Sequence, residues 1–388
     1  MPGIKDRAAV VGSGCTKFGE QWEKDQEDLL VEAAYEALDD AGLSPRDIEA
    51  VWVGVNYNFT GRSGGTAIEP LKLFGKPATR VENFCASGMD AFRNACFAVA
   101  AGVYDIVLAC GVEKILDQGS RGLPREDIHP VFRWPSAPGI FGLAASRAFY
   151  EWGWTKEDLA HVAVKNHKNG VAHPKAHFRR PVTVEDVLSA PMIAWPLGRL
   201  DCCAVSDGAA ALIITRPEIA KDTKHRDDYA LVKANALAVY SVEPYYQTSY
   251  NWLGFPATRA AARAAYEEAG IRDPGNEISF AEVHDCFTIT ELLNIGDLGF
   301  IDDPRDAPKF VRDGLADVEG KLAINPSGGL KCFGHPIGAT GCRMIYEVTR
   351  QLQGRADGCQ VRNPRFGMAH NLGGPGAVAS VTILALRD

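Results

Sequence analysis

The chain has 388 residues, too long for one ordinary core and about right for two or three packed units of about 100–200 residues each. Hydrophobic residues make up 46% and charged residues 23%, a globular balance that excludes a disordered, collagenous or coiled-coil protein. Net charge is −8, from 49 acidic and 41 basic residues, whereas a duplex nucleic-acid binder shows a basic excess.

No apolar run approaches the ~20 residues that span a bilayer. The N-terminal MPGIKDRAAVVGSG has no apolar core followed by a small-residue cleavage site. LALRD at the other end is not a peroxisomal address of the Ser-Lys-Leu type. A cytoplasmic protein without a membrane span is the expectation. None of the ten cysteines has Cys-x-x-Cys spacing, so they read as free thiols, most of them small buried apolar residues.

In chain order, AAVVGSG (8–14) reads as a buried strand. A helix follows with Leu29, Leu30, Ala33, Ala34, Ala37, Leu38 and Ala41 on one stripe and Gly42 at its stop. AVWVGV (50–55) is a second strand. ENFCASGMDAFRNACFAVAAG (82–102) is a turn followed by a helix apolar almost all round, which belongs between layers. Cys85 stands directly before that helix, where free N–H groups and the helix dipole lower a thiol's pKa and can hold an oxyanion. The plain alternative is a buried thiol at a tight turn. GSGC (12–15) lacks the third glycine of a dinucleotide fingerprint, and no Walker A loop is present.

After the strand DIVLACG (105–111) comes an insert of about 85 residues, rich in Pro, Trp and Gly. Residues 115–200 carry 11 Lys/Arg against 8 Asp/Glu and five of the nine histidines. That local balance suits an anionic ligand, and equally an ordinary solvated cap. Cys202 and Cys203 read as structural, and AALIITR (210–216) completes the first half as a strand.

The pattern then recurs. ALVKANALAV (230–239) is strand-like, RAAARAAYEEAG (259–270) a helix ending in Gly, and ISFAEVHD (278–285) a strand. His284 and Cys286 follow that strand on one side with Asp285 turned away. A metal site competes for this pair, but no second pair stands at ligand spacing. NPSGGLKCFGHPIGATGCRMIYEVTRQLQG (325–354) is a Gly-rich loop leading into a helix, with His335 immediately before it. Asn371 and Gly373, in HNLGGPG, read as a Gly-rich turn with free N–H groups, before the strand AVASVTILAL (377–386). The echo implies an internal duplication, with Cys85 and His335 at corresponding places facing one cleft as nucleophile and base.

Four motifs in order, ENFCASG (82–88), VHDCF (283–287), GHPIGATG (334–341) and HNLGG (370–374), resemble the thiolase superfamily. Within it they are similar to the sterol-carrier-protein-type thiolases, over essentially the whole chain. The resemblance implies a duplicated α/β fold: two mixed β-sheets with central buried helices, layered αβαβα, plus a loop domain. Residues 1–114 with 201–225 would form one half and 226–388 the other, with 115–200 covering the active site and CoA. It also implies roles. Cys85 is the acylated nucleophile, His335 its activating histidine, His284 an oxyanion-hole histidine and Cys286 the acid/base cysteine. The N–H groups of Cys85 and Gly373 form a second oxyanion hole, beside Asn371 and Phe287 at the substrate. Asn371 stands where ordinary thiolases carry a late cysteine.

The activity so implied is CoA-dependent cleavage of a 3-ketoacyl-CoA, as in fatty-acid β-oxidation, or the reverse Claisen condensation. CoA would be a substrate, with no further cofactor and no metal. Acyl-CoA and CoA are the expected ligands, in a homodimer or homotetramer, with a small acyl-CoA-binding protein as a further partner. Two alternatives stay open: a retro-aldolase of a steroid-type acyl-CoA side chain, and a CoA-binding subunit that depends on a partner.

Overall fold

A computed structural model of the chain describes residues 3–118, 123, 136–241 and 249–387. The Pro- and Trp-rich start of the insert, 119–135, lies outside the described residues except for Leu123. The first half runs β1 (Ala9–Cys15), α1 (Gln26–Ala41), β2 (Ala50–Gly54), α2 (Gly65–Leu71), β3 (Ala78–Val81), α3 (Ser87–Ala100) and β4 (Ile106–Glu113). Next come α4 (Ala137–Trp152), α5 (Lys156–Gly170), α6 (Val184–Ser189) and a ribbon of β5 (Met192–Ala194) with β6 (Leu197–Gly198). Then follow β7 (Gly208–Thr215), α7 (Pro217–Ala220), β8 (Ala230–Val239), α8 (Pro256–Ala269), α9 (Pro274–Glu277), β9 (Phe280–Val283) and α10 (Thr288–Asp297). The chain closes with α11 (Ala307–Arg312), β10 (Ala323–Ile324), α12 (Gly329–Phe333), α13 (Ile337–Leu352), β11 (Gly367–Gly373) and β12 (Val378–Leu386).

The duplication is visible in the strand order. Outward from the middle, the first half reads β1-β7-β4-β2-β3 and the second β8-β12-β11-β9-β10. The senses match position by position: the first two pairings of each half are antiparallel and the last two parallel. The two mixed sheets meet edge to edge through β1 and β8 by only two residue pairs, Ala9↔Leu231 and Val10↔Ala230.

Each strand of the first sheet serves two layers by simple alternation. In β7, Ala210, Leu212 and Ile214 join the central core, while Ala209, Ala211 and Ile213 face α1 and α2. Helix α1 starts at Asp25, whose carboxylate accepts the N–H groups of Glu27 and Asp28, and stops at Gly42 in the left-handed region. It lies directly on β1. A Cβ at Gly12 would sit 2.2 Å from the Ala37 carbonyl oxygen, and one at Gly14 2.1 Å from that of Ala33. The GSG run is therefore a packing surface rather than a nucleotide loop.

Helices α3 and α13 form the central layer and cross on bare backbone. A Cβ at Gly88 would meet the Gly338 carbonyl oxygen at 2.4 Å, and one at Gly341 the Met89 nitrogen at 2.2 Å. Both helices are buried on nearly every face, as their composition requires. The crossing brings their N-terminal ends together.

Two expectations change in the second half. The Gly-rich stretch before α13 contains a short helix, α12. Asn371 and Gly373 lie in strand β11 rather than in a turn, paired with Ser380 and Val378 of β12. The Gly-Gly-Pro-Gly composition masks a strand that β9 and β12 hold from both sides.

Candidate active site

Cys85 sits between β3 and α3 on a tightly held turn. Phe84, just before it, takes φ 51°, a left-handed conformation uncommon for a bulky residue. Ser87 fixes the turn: its hydroxyl accepts the Asn83 N–H at 2.9 Å and donates to the Phe84 carbonyl. Such strain persists only where surrounding bonds over-determine it, and it marks functional turns. Cys85 is half-buried against Tyr57, Ile115, Ile337 and Val205.

The helix terminus does not make Cys85 a resting thiolate, contrary to expectation. Burial pushes its thiol up to about 12, and the backbone N–H groups of Gly374 and Cys85 only partly oppose that. The charge of Glu113 raises it further. Gly374, the neighbour of the Gly373 expected in an oxyanion hole, directs its N–H at the sulfur. Gly373 ends β11 against the Cys85 turn, where a Cβ would meet the Asn83 carbonyl oxygen at 2.7 Å.

His335 follows Gly334 and precedes α13. Its Nδ1 lies 2.7 Å from Thr340 Oγ1, whose own proton goes to the Pro336 carbonyl at 2.9 Å. Thr340 must then accept from Nδ1–H, which leaves the Nε2 lone pair free. Nε2 is buried and has no protein partner. Burial, assisted by Arg343, holds the ring's pKa down to about 3, so the imidazole is neutral.

His284 packs edge-on against His335, with ring centroids 5.2 Å apart at 86°. Its Nδ1 faces Asn371 Nδ2 at 2.9 Å, and its carbonyl accepts from Asn294 Nδ2 at 3.2 Å. Thr258 hydrogen-bonds Asn294 and, at 3.0 Å, His370 Nε2. Burial and the neighbouring His335 keep His284 neutral as well. Cys85 Sγ and the ring nitrogens of His284 and His335 lie within 4.8 Å of one another, the only such convergence among the described residues.

Cys286 is buried beside them, its thiol raised by burial and by the nearby thiols of Cys203 and Cys85. Phe287 packs its ring on Phe141 of α4, centroids 4.9 Å apart. Cys202 and Cys203 run antiparallel to this segment: Cys203 donates its N–H to the Cys286 carbonyl at 2.9 Å, and Cys202 stands opposite Phe287.

Sequence reasoning missed the structural roles of two carboxylates: Asp285 fastens α12 and α5 beside the site, and Glu113 joins the two halves. Asp285 does point away from His284, but it caps α12 by accepting from Leu330 N at 2.6 Å and Lys331 N at 3.2 Å, and it binds Asn166 of α5 at 2.7 Å. Gly329, at φ 62°, must be glycine there, since a Cβ would lie 2.3 Å from an Asp285 oxygen. Glu113, at the end of β4, accepts from the N–H groups of Asn56, Tyr57 and Gly338, tying the α13 N-terminus to the other half. Glu113 lies in no motif, and although Asp285 lies in VHDCF, the partners of both acids are distant in sequence.

Family models match both halves, "Thiolase, N-terminal domain" over residues 8–128 and "Thiolase C-terminal domain-like" over 241–386. An acetyl-CoA acetyltransferase of Methanothermobacter thermautotrophicus is 38% identical over 97% of this chain and 99% of its own length. Human sterol carrier protein 2 is 32% identical over 97% of this chain and 72% of its own. Among solved structures, the Ltp2-ChsH2(DUF35) aldolase superposes with a TM-score of 0.84 at 25% identity, covering 99% of this chain and 98% of that one. The chain belongs to the thiolase family and is an acyltransferase of the thiolase type.

Proposed function

We propose that this protein cleaves a 3-ketoacyl-CoA with CoA, or runs the reverse Claisen condensation, through an acyl-Cys85 intermediate. The convergence of Cys85, His284 and His335 carries this reading. Burial keeps Cys85, Cys286, His284 and His335 in their neutral forms, so the nucleophile is generated on demand. His335 Nε2 takes the Cys85 proton as the thiolate attacks the 3-keto carbon. The C2–C3 bond breaks, and the leaving acetyl-CoA enolate is stabilised by N–H donation from His284 and the His335 imidazolium. Cys286 protonates the enolate carbon and becomes a thiolate. It then deprotonates incoming CoA, whose thiolate attacks acyl-Cys85. Collapse expels the Cys85 thiolate, which recovers its proton from His335.

Residues 115–200 are the part of the chain proposed to close over CoA. Their basic balance within an acidic chain supports that, as does the pinning of α5 to Asp285 through Asn166. CoA is a substrate here, and the steps above use protein groups alone. A partner protein is part of this reading as well, and the two-component name of the Ltp2-ChsH2(DUF35) aldolase neighbour supports it.

That neighbour also favours a second reading, retro-aldol cleavage of a β-hydroxyacyl-CoA side chain, which forms no acyl-cysteine. Cys85→Ala separates the two. Thiolysis of acetoacetyl-CoA, followed by loss of its enolate absorbance, should fall to background in the variant. Aldol cleavage that survives the substitution, with no thiolysis by the parent protein, would move the assignment to the aldolase.

A further inference from the structure

The three converging side chains form a donor set of a particular chemical kind. A sulfur and two imidazole nitrogens are borderline-soft ligands that suit Zn²⁺ and leave Mg²⁺ or Ca²⁺ without a carboxylate oxygen. Thr340 engages Nδ1 of His335 and Asn371 engages Nδ1 of His284, so the free donors are the two Nε2 atoms. His335 Nε2 is buried, carries a lone pair and has no partner. Outer-shell hydrogen bonds of this sort fix ring orientation in metal sites.

We propose that Cys85, His284 and His335 form a binding site for a soft divalent cation, Zn²⁺ above all, whose occupancy reversibly blocks the nucleophile. Tetrahedral Zn²⁺ takes N and S at about 2.0–2.3 Å, which puts its ligands roughly 3.3–3.8 Å apart. Donor atoms already within 4.8 Å need to close by about 1–1.5 Å at most, within reach of side-chain adjustment. On binding, the Cys85 proton leaves to solvent and the thiolate bonds the ion. His335 offers its lone pair as it stands. His284 moves its ring proton from Nε2 to Nδ1 through solvent, and the Asn371 amide turns to accept it. Asn371 Oδ1 is buried without a partner, an acceptor waiting for that proton. Water takes the fourth position.

The inference rests on the juxtaposition of the donors and not on the proposed acyl transfer. The experiment titrates the apo-protein with Co²⁺ and Zn²⁺ and follows two readouts besides turnover: thiolate-to-Co²⁺ charge transfer in the near ultraviolet, and alkylation of Cys85 by iodoacetamide. One equivalent of Co²⁺ should give the charge-transfer band with tetrahedral visible bands. One equivalent of Zn²⁺ should protect Cys85 from alkylation until EDTA is added. Cys85→Ser and His335→Gln should each weaken binding by at least ~10-fold, and Cys359→Ser, at a distant thiol, should leave it unchanged. A Co²⁺ complex without thiolate charge transfer, or full alkylation of Cys85 at saturating Zn²⁺, would overturn the proposal. Turnover undiminished by stoichiometric Zn²⁺ would overturn it too, while leaving the proposed reaction intact.

Discussion

At His335 the state of the ring is set by the Thr340 hydroxyl. Thr340 spends its proton on the Pro336 carbonyl, so it can only accept from the ring, and Nε2 is left as a base. Thr340→Val removes that acceptor while keeping the side chain's shape. We expect kcat to fall roughly 10–100-fold, the scale on which orienting partners of site histidines act. Thr340→Ser should recover most of it. Equal activity in the valine variant would show that the ring finds its tautomer without help. Cys85 makes the complementary point: with its thiol held up near 12 by burial, the substrate-free protein carries almost no thiolate at neutral pH. Its alkylation rate, read by peptide mapping at short times, should climb steadily from pH 7 to pH 10. A plateau already reached at pH 7 would mean that the helix terminus dominates after all. The place of Cys85 directly before a helix is legible in the sequence. Its protonation state is not, because burial depends on residues as distant as Ile115 and Ile337.

The elements show which signals survive translation into sequence. Helix α1 was readable because an apolar stripe, an acidic cap and a terminal Gly are all local features. Strand β11 was not, because its HNLGG run looks like a turn until β12 is placed alongside Asn371–Gly373 and β9 beside the residues before them. Helix α12 was hidden for a similar reason: it is five residues long, opens on glycine, and is capped by Asp285 from 45 positions away. The crossing of α3 and α13 is the element-scale feature on which the site depends. Gly341→Ala would drive a methyl into the Met89 nitrogen, so the two helices must separate. We expect a loss of about 1–3 kcal/mol in stability and a disproportionate loss of activity, since Cys85 and His335 ride on the two helix ends. Denaturant unfolding and turnover, measured side by side, check this. Unchanged stability would mean that the crossing is looser than its geometry.

For the whole molecule, the duplication is what turns two unremarkable motifs into one site. The recurrence of strand, helix and strand along the chain suggested it, and the matching strand order and senses establish it. The sheets share only two residue pairs, so the halves are held mainly by the central helices and by bridges such as Glu113 to Gly338. Such bridges are invisible in sequence because a lone Glu at a strand end has no local signature. The same architecture brings Cys85 and His335, 250 residues apart in sequence, to one place, where the proposed reaction uses them on one substrate. Intact-protein mass spectrometry with peptide mapping tests that most directly, after mixing with acetoacetyl-CoA and with longer or 2-methyl 3-ketoacyl-CoAs. The account predicts an acyl adduct on Cys85 that disappears when CoA is added and does not accumulate in His335→Ala. A protein that binds these thioesters yet never acquires mass at Cys85 would contradict it.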